Sequence, residues 1–129
     1  MTQEQKDLLL KDLCVRLQYG VKVLYENEIF DVEYVCPMYE EIKLDIPETW
    51  TIGIDEVKPY LFPLSSMSEK QKEEFNTQSL KLQLQVIDEE IMYEKATEFE
   101  VDFYNKHHLD WRGLIPLGLA IDATNLNIY

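Results

Sequence analysis

The chain has 129 residues, 46% of them hydrophobic and 29% charged, which supplies one packed core and excludes a disordered chain. Twenty-five acidic residues against 12 basic ones give a formal net charge of −13, and the acids are spread along the chain. A field of that sign repels phosphate backbones and anionic lipid surfaces, so we expect neither direct nucleic-acid binding nor membrane binding.

The sequence predicts a single cytoplasmic domain over residues 1–129. Its C-terminal run LIPLGLAI, at 114–121, is far shorter than the ~20 residues of a membrane helix and contains Pro116. The N-terminal MTQEQKDLLLKDL has charges among its apolar positions and lacks the hydrophobic segment and cleavage site of a secretory signal. No repeat or linker divides the chain.

The first predicted element is an amphipathic helix over residues 3–18. Thr2 and Gln5 have the spacing of a capping box, and Gly20 is a typical left-handed stop. The apolar face is formed by residues at helical spacing, namely Leu9, Leu13 and Leu17, with Leu10 and Cys14 beside them.

From Val21 onward a period of two predicts antiparallel strands. VKVLYE and IFDVEYVC, joined by a tight ENE connection, are typical of a hairpin. In the second strand, four alternating residues are expected to lie on the same face of the sheet, namely Phe30, Val32, Tyr34 and Cys36. Alternation returns over 42–46 and 50–54, so we expect a meander of three or four strands. The fold class that follows is α+β, with the N-terminal helix packed on a small antiparallel β-meander and further short helices in the C-terminal half.

The first of those later helices is predicted after a helical turn that Asp55 caps. Ser66 and Glu69 have the spacing of a capping box, which indicates a surface helix over 67–78. Residues 80–87, LKLQLQVI, alternate strictly and favour a strand, although Leu80, Leu84 and Ile87 would also continue a helix.

Thr97 and Glu100 indicate a last helix over residues 97–107, which a turn and a loosely structured tail follow.

The two cysteines, Cys14 and Cys36, lie in different predicted elements and form no CxxC pair. We expect two reduced, largely buried thiols, and a disulfide between them is the less favoured alternative. Burial of Cys14 would raise its pKa, which argues against a nucleophile.

Both histidines stand side by side in FYNKHHLDWRGLI, residues 103–115. Adjacent residues point about 100° apart on a helix and to opposite sides on a strand, so His107 and His108 do not converge easily on one metal ion. The favoured interpretation is structural, because the helix dipole stabilises a C-terminal histidine and Asp110 can cap the next turn or pair with Arg112. The alternative is a metal site formed by both histidines and Asp110.

A second stretch of interest is KPYLFPL, at 58–64, between two prolines. Its Tyr60 and Phe62, like Trp111 and Arg112 further on, are side chains that often anchor protein interfaces. The favoured interpretation is that both stretches fold into the core, since large apolar residues are usually inside. The alternative is a contact surface for a partner.

Three blocks of the chain resemble a known family. These blocks, QKDLLLKDLCVRLQYGVKV, IDEVKPYLFPLSSMSEKQKEEF and DFYNKHHLDWRGLIPLGLAIDA, are similar to small proteins common in Bacteroides-type gut bacteria and in their phages and integrated elements. That family carries no established activity, so the resemblance implies no site residue. It implies a setting, an accessory protein of a mobile element that acts by binding.

The sequence contains no recognisable catalytic motif or phosphate-binding loop and indicates no cofactor. It therefore favours a non-enzymatic protein that binds another protein. One alternative is an acidic mimic of nucleic acid that blocks a DNA-binding host factor, in keeping with the net charge of −13. The other is a metal-assisted hydrolase centred on His107, His108 and Asp110.

Overall fold

The computed structural model describes residues 1–46, 51–83 and 89–129 and has the predicted α+β architecture. The helices are α1 (Gln3–Arg16), α2 (Glu69–Gln83) and α3 (Glu89–Lys106). The strands are β1 (Lys22–Tyr25), β2 (Glu28–Cys36), β3 (Glu41–Leu44), β4 (Ile52–Gly53), β5 (Lys58–Leu61) and β6 (Ile121–Asp122). Short 3-10 turns lie at Leu17–Tyr19, Pro37–Tyr39, Ile54–Glu56 and Leu64–Ser66.

Helix α1 begins and ends as predicted. Thr2 Oγ1 accepts a hydrogen bond from the Gln5 N–H, and the Gln5 side chain accepts one from the Thr2 N–H, which completes the capping box. A 3-10 turn extends the helix to Tyr19, where Gly20 stops it with φ +75°. These local signals suffice because each depends on residues only a few positions apart.

The buried face of α1 differs from the predicted one. Leu9 and Leu13 are fully buried, but Cys14 is exposed. Asp12 and Arg16 are fully buried instead. The stripe that faces the core therefore includes a charged pair, and the expectation of a buried thiol at Cys14 is wrong.

Glu26 and Asn27 form the two-residue turn between β1 and β2. Both residues have positive φ, as a type I′ hairpin turn requires. A register shift between Val32 and Tyr34 then inserts one extra residue in β2 relative to β3. Because side chains alternate along a strand, the shift turns Tyr34 outward and brings Val35 against the core, opposite Ile42.

The described strands form one sheet in the order β4-β3-β2-β1-β5-β6. Strands β1 to β4 are the predicted antiparallel meander. Strand β5 adds to β1, and β6 then pairs with β5 in parallel, with Tyr60 opposite Ile121. The sequence did not predict these two strands, and the expectation of a loosely structured tail is wrong. The start of the predicted 50–54 strand, Trp50, lies outside the described residues.

The two later helices also begin at other residues than predicted. Ser68 and Gln71 form the capping box of α2, two residues after the predicted pair. Helix α2 continues through residues 80–83, so the predicted strand is wrong there, and the rest of it, 84–88, falls outside the described residues. Helix α3 begins at Glu89, so Thr97, where the sequence predicted the helix to begin, lies in the helix interior. The residues between Glu89 and Thr97 include no Gly or Pro that would interrupt the helix.

Helices α2 and α3 pack together through aromatic rings. The Phe75 ring centroid lies 5.3 Å from those of Phe103 and Tyr104. Ser79 donates a hydrogen bond to Glu100 at 2.9 Å. This contact partly covers the apolar side of α2, which the sequence placed on the surface.

The main core lies between α1 and the sheet. Its buried members come from α1, from the strands and turns between residues 21 and 61, and from the C-terminal segment, namely Leu9, Leu10, Leu13, Val21, Val23, Ile42, Leu44, Ile52, Ile54, Val57, Leu61, Leu114, Leu119 and Ala120. Of the helices in the described ranges, none is both long enough and apolar enough to cross a bilayer.

Candidate functional site

The helix end that carries both histidines is closed by a Schellman motif. The Leu109 N–H donates to the Tyr104 carbonyl at 2.8 Å, and the His108 N–H donates to the Asn105 carbonyl at 3.2 Å. His108 takes the left-handed position of the motif, with φ +57°, where glycine or asparagine is usual. The sequence HHLD is therefore a helix stop in this structure.

The two imidazoles pack against different aromatic rings. His107 lies 4.4 Å from the Phe103 ring, and His108 stacks on Tyr129 with centroids 3.7 Å apart and planes 9° from parallel. Burial, followed by the positive charge of Arg16, lowers the pKa of His108 to about 4. Burial also lowers the pKa of His107. Both rings are therefore uncharged at neutral pH.

The proposed metal ligands do not converge. The Asp110 carboxylate accepts hydrogen bonds from the Leu114 N–H at 2.7 Å and the Ile115 N–H at 2.8 Å, so it caps the turn after the helix. Within the described ranges, no group of three or more His, Cys, Asp and Glu side chains is placed to hold a metal ion. In this geometry each imidazole packs against a different aromatic ring, and Asp110 caps a turn.

The stretch 58–64 lies directly beside this helix end. The Phe62 N–H donates to the His108 carbonyl, and the Asp110 N–H donates to the Phe62 carbonyl, both at 2.8 Å. Tyr60 is buried, as expected for a stretch that plugs the core, and Phe62 is half-buried with its ring 5.8 Å from that of Tyr129. The two stretches that the sequence singled out are thus one packed unit.

A buried ion pair lies beneath that unit. Arg16 Nε donates to Asp12 Oδ2 at 2.7 Å, and both side chains are 0% exposed. Arg16 Nη2 also donates to the Leu109 carbonyl at 2.6 Å, which connects α1 to the end of α3. A second cation, Arg112, has its Nε 3.4 Å from Asp12 Oδ1.

Trp111 and Arg112 pack against the same helix end. Trp111 Nε1 donates to Asn105 Oδ1 at 2.9 Å, and its ring stacks near Tyr104 at 6.4 Å. The Arg112 guanidinium lies 4.1 Å from the centre of the Trp111 ring, a cation–π contact. Both side chains are half-buried. Each therefore has one part exposed to solvent and another part packed against the helix end.

Arg112 also borders an open, largely apolar concavity along α1. This α1 groove has a volume of about 510 Å³, and its lining is Asp7, Leu10, Lys11, Cys14, Val15, Pro37 and Arg112. Five of these residues lie on α1 at the spacing i, i+3, i+4, i+7, i+8, which is a second helical stripe beside the buried one. Sequence reasoning assigned Cys14 to the core stripe and so missed the groove, whereas its assignment of Leu10 to that stripe is confirmed, since Leu10 is buried in the core as well as lining the groove.

The 3-10 turn that contributes Pro37 carries two exposed side chains. Met38 is 84% exposed and Tyr39 is 68% exposed, although large apolar residues are usually inside. The signal for this turn was present in the sequence as PMY, where Pro37 ends a strand and the period-two alternation fails. Pro37 joins this turn to the α1 groove, and we call the groove together with Met38 and Tyr39 the groove surface.

Cys14 is exposed within the α1 groove, and Cys36 is half-buried, with both thiols free. Partial burial raises the pKa of the Cys14 thiol, so little thiolate is present at neutral pH. Cys14 therefore offers an accessible but weakly nucleophilic thiol.

Comparison of the chain with protein-family models, with curated proteins and with solved structures returns no match. The fold and the geometry of the described residues therefore carry the functional argument.

Proposed function

We propose that this chain acts by binding another protein through the groove surface. The observation that carries the proposal is the exposure of Met38 and Tyr39 beside an open apolar groove of about 510 Å³. Exposure of apolar side chains of this size to water is unfavourable, and their burial against a partner is favourable. Methionine and tyrosine are also enriched at protein interfaces.

The other side chains that the sequence indicated as partner contacts are packed within the fold, which favours the groove surface as the binding surface. Tyr60 is buried and Phe62 is half-buried against the C-terminal tail, so neither offers a free anchor. Arg112 alone among the residues chosen from the sequence borders the groove, where it is held by Trp111 and Asp12. The proposal also agrees with the setting that the family resemblance implies, an accessory protein of a mobile element.

The test is capture of partners from a lysate of the source organism, with chemical crosslinking. A double variant, Met38→Asp with Tyr39→Asp, changes two exposed side chains and should keep the fold. The matched control is a second double variant, Leu80→Asp with Leu117→Asp, which adds the same two charges at apolar positions that are 56% and 50% exposed.

We expect a reproducible partner to be retained by the wild type and the control and lost by the Met38 and Tyr39 variant. No reproducible partner, or equal retention by all three proteins, would contradict the proposal. A partner that competes with DNA, is released by moderate salt and ignores the Met38 and Tyr39 variant would instead support the nucleic-acid mimic.

A further inference from the structure

We infer that the α1 groove takes a short apolar peptide segment that carries a carboxylate, an assignment that rests on the proposed function and names the chemistry of the partner. The apolar part of the groove lining consists of Leu10, Cys14 and Val15 on α1 and of Pro37 on the following 3-10 turn at Pro37–Tyr39. The helical stripe from residue 7 to residue 15 spans about 12 Å, which matches roughly four residues of extended peptide or two turns of helix.

The charge at the groove is opposite to that of the chain. Two of its charged lining residues are cations, Lys11 and Arg112, and one is an anion, Asp7, whereas the chain as a whole has 12 basic against 25 acidic residues. The Asp7 carboxylate already accepts a hydrogen bond from Gln3 Nε2 at 2.9 Å. The rim therefore favours a negative group.

Lys11 is the cation that a partner can use. It is exposed, and the described residues provide it with neither an ion pair nor a hydrogen bond. Arg112 is only 20% exposed, lies near the Asp12 carboxylate and has an Nε without a hydrogen-bond partner. A carboxylate placed at this rim would be attracted by the Lys11 ammonium group and by the nearby Arg112 guanidinium.

The apolar part of the segment would fill the groove. Burial of the accessible surface of Cys14 and Val15 by one or two apolar side chains supplies affinity, whereas the carboxylate sets the orientation. At physiological salt the screening length is about 8 Å, so the local cations outweigh the distant negative charge of the chain for a bound segment. The class of partner is thus a peptide that combines apolar residues with Asp or Glu.

The experiment uses the full chain with Cys36→Ser, so that Cys14 is the single thiol and reports on the groove. Peptides are selected from a random 12-residue library on this protein and are then synthesised. Their binding is measured by protection of Cys14 against N-ethylmaleimide and by calorimetry. The same measurements are made with Lys11→Glu and with Lys58→Glu, an equal charge change at an exposed position on β5.

We expect the selected peptides to combine apolar residues with Asp or Glu and to slow labelling of Cys14. Their affinity should fall about five- to tenfold with Lys11→Glu and change less than about twofold with Lys58→Glu. Peptides that protect Cys14 without any acidic preference, or that ignore Lys11→Glu, overturn the carboxylate assignment and leave the proposed function intact.

Two further results overturn the inference. Selection that returns no peptide able to protect Cys14 shows that the groove takes no such segment. Protection of Cys14 that grows with the concentration of the protein alone identifies a second copy of this chain as the occupant. The proposed function is judged separately by capture with the Met38 and Tyr39 variants.

Discussion

Asp12 and Arg16, one helical turn apart on α1, form an ion pair at 2.7 Å with neither side chain exposed to solvent. Withdrawal of two charges from water is costly, and a good mutual geometry with additional hydrogen bonds offsets that cost. The Leu109 carbonyl supplies one such bond to Arg16, so the pair also determines where the end of α3 docks on α1.

Loss of Asp12 should be more damaging than loss of Arg16. Asp12→Leu leaves Arg16 buried without a counter-charge and removes the anion beside Arg112, so we expect a loss of about 3–5 kcal/mol in the free energy of unfolding. Arg16→Met should cost less, because Asp12 keeps Arg112 nearby. Urea denaturation measures both changes. The exposed Lys72–Glu69 pair is the control, and Lys72→Met should change stability by less than about 0.5 kcal/mol. A larger loss for Arg16→Met than for Asp12→Leu would contradict this account.

The stability of the protein should fall on acidification through His108. Its pKa is about 4 in the folded chain and 6.5 when unperturbed, so the unfolded chain binds more protons between these values and stability declines as pH falls through that window. A pKa lowered from 6.5 to about 4 corresponds to at most ~3.4 kcal/mol, and partial solvent screening should reduce this to about 1–2 kcal/mol.

The variant that isolates this effect is His108→Asn. Asparagine accepts the left-handed backbone that His108 adopts, so the helix stop is kept while the titrating group is removed. Unfolding midpoints in urea at pH 7.5 and pH 4.5 should therefore differ less for the variant than for the wild type. Equal losses in both proteins would show that other groups dominate the acid response.

The hydroxyl group of Tyr129 connects the last residue of the chain to strands β1 and β5. Its hydroxyl accepts from the Lys22 N–H at 3.0 Å and donates to the Tyr60 carbonyl at 2.7 Å. Tyr129→Phe removes both bonds and should lower the free energy of unfolding by about 1–2 kcal/mol. Burial raises the pKa of this phenol to about 12, so the alkaline absorbance titration of the wild type minus that of the variant should have its midpoint well above 10. A midpoint near 10 would show that the hydroxyl is not enclosed.

The hairpin turn should be improved by one substitution. Glu26 has φ +48°, a left-handed conformation that disfavours most side chains but suits asparagine. Glu26→Asn should raise the free energy of unfolding by a few tenths to about 1 kcal/mol, measured by urea denaturation. Glu26→Gln removes the same charge without the conformational benefit and serves as the control. An equal gain in both variants would assign the effect to charge.

The sequence alone determined the elements whose signals are local. The capping box of Thr2 and Gln5, the stop at Gly20 and the hairpin of β1 and β2 each depend on residues a few positions apart, and the structure has all of them. The capping role of Asp110 was also predictable, because Asp110 follows the helix end at the position of a cap for the next turn.

Only the tertiary structure decided which faces are buried and which distant segments meet. One extra residue in β2 exchanges Tyr34 for Val35 at the core, and the pairing of β5 with β6 joins residues about 60 positions apart. Burial of Asp12 with Arg16 depends on the Leu109 carbonyl, and the α1 groove depends on Pro37 and Arg112. Periodicity assigns a residue to a face, but the partner that covers that face comes from elsewhere in the chain, so the open stripe of α1 with Cys14 could be recognised only after folding.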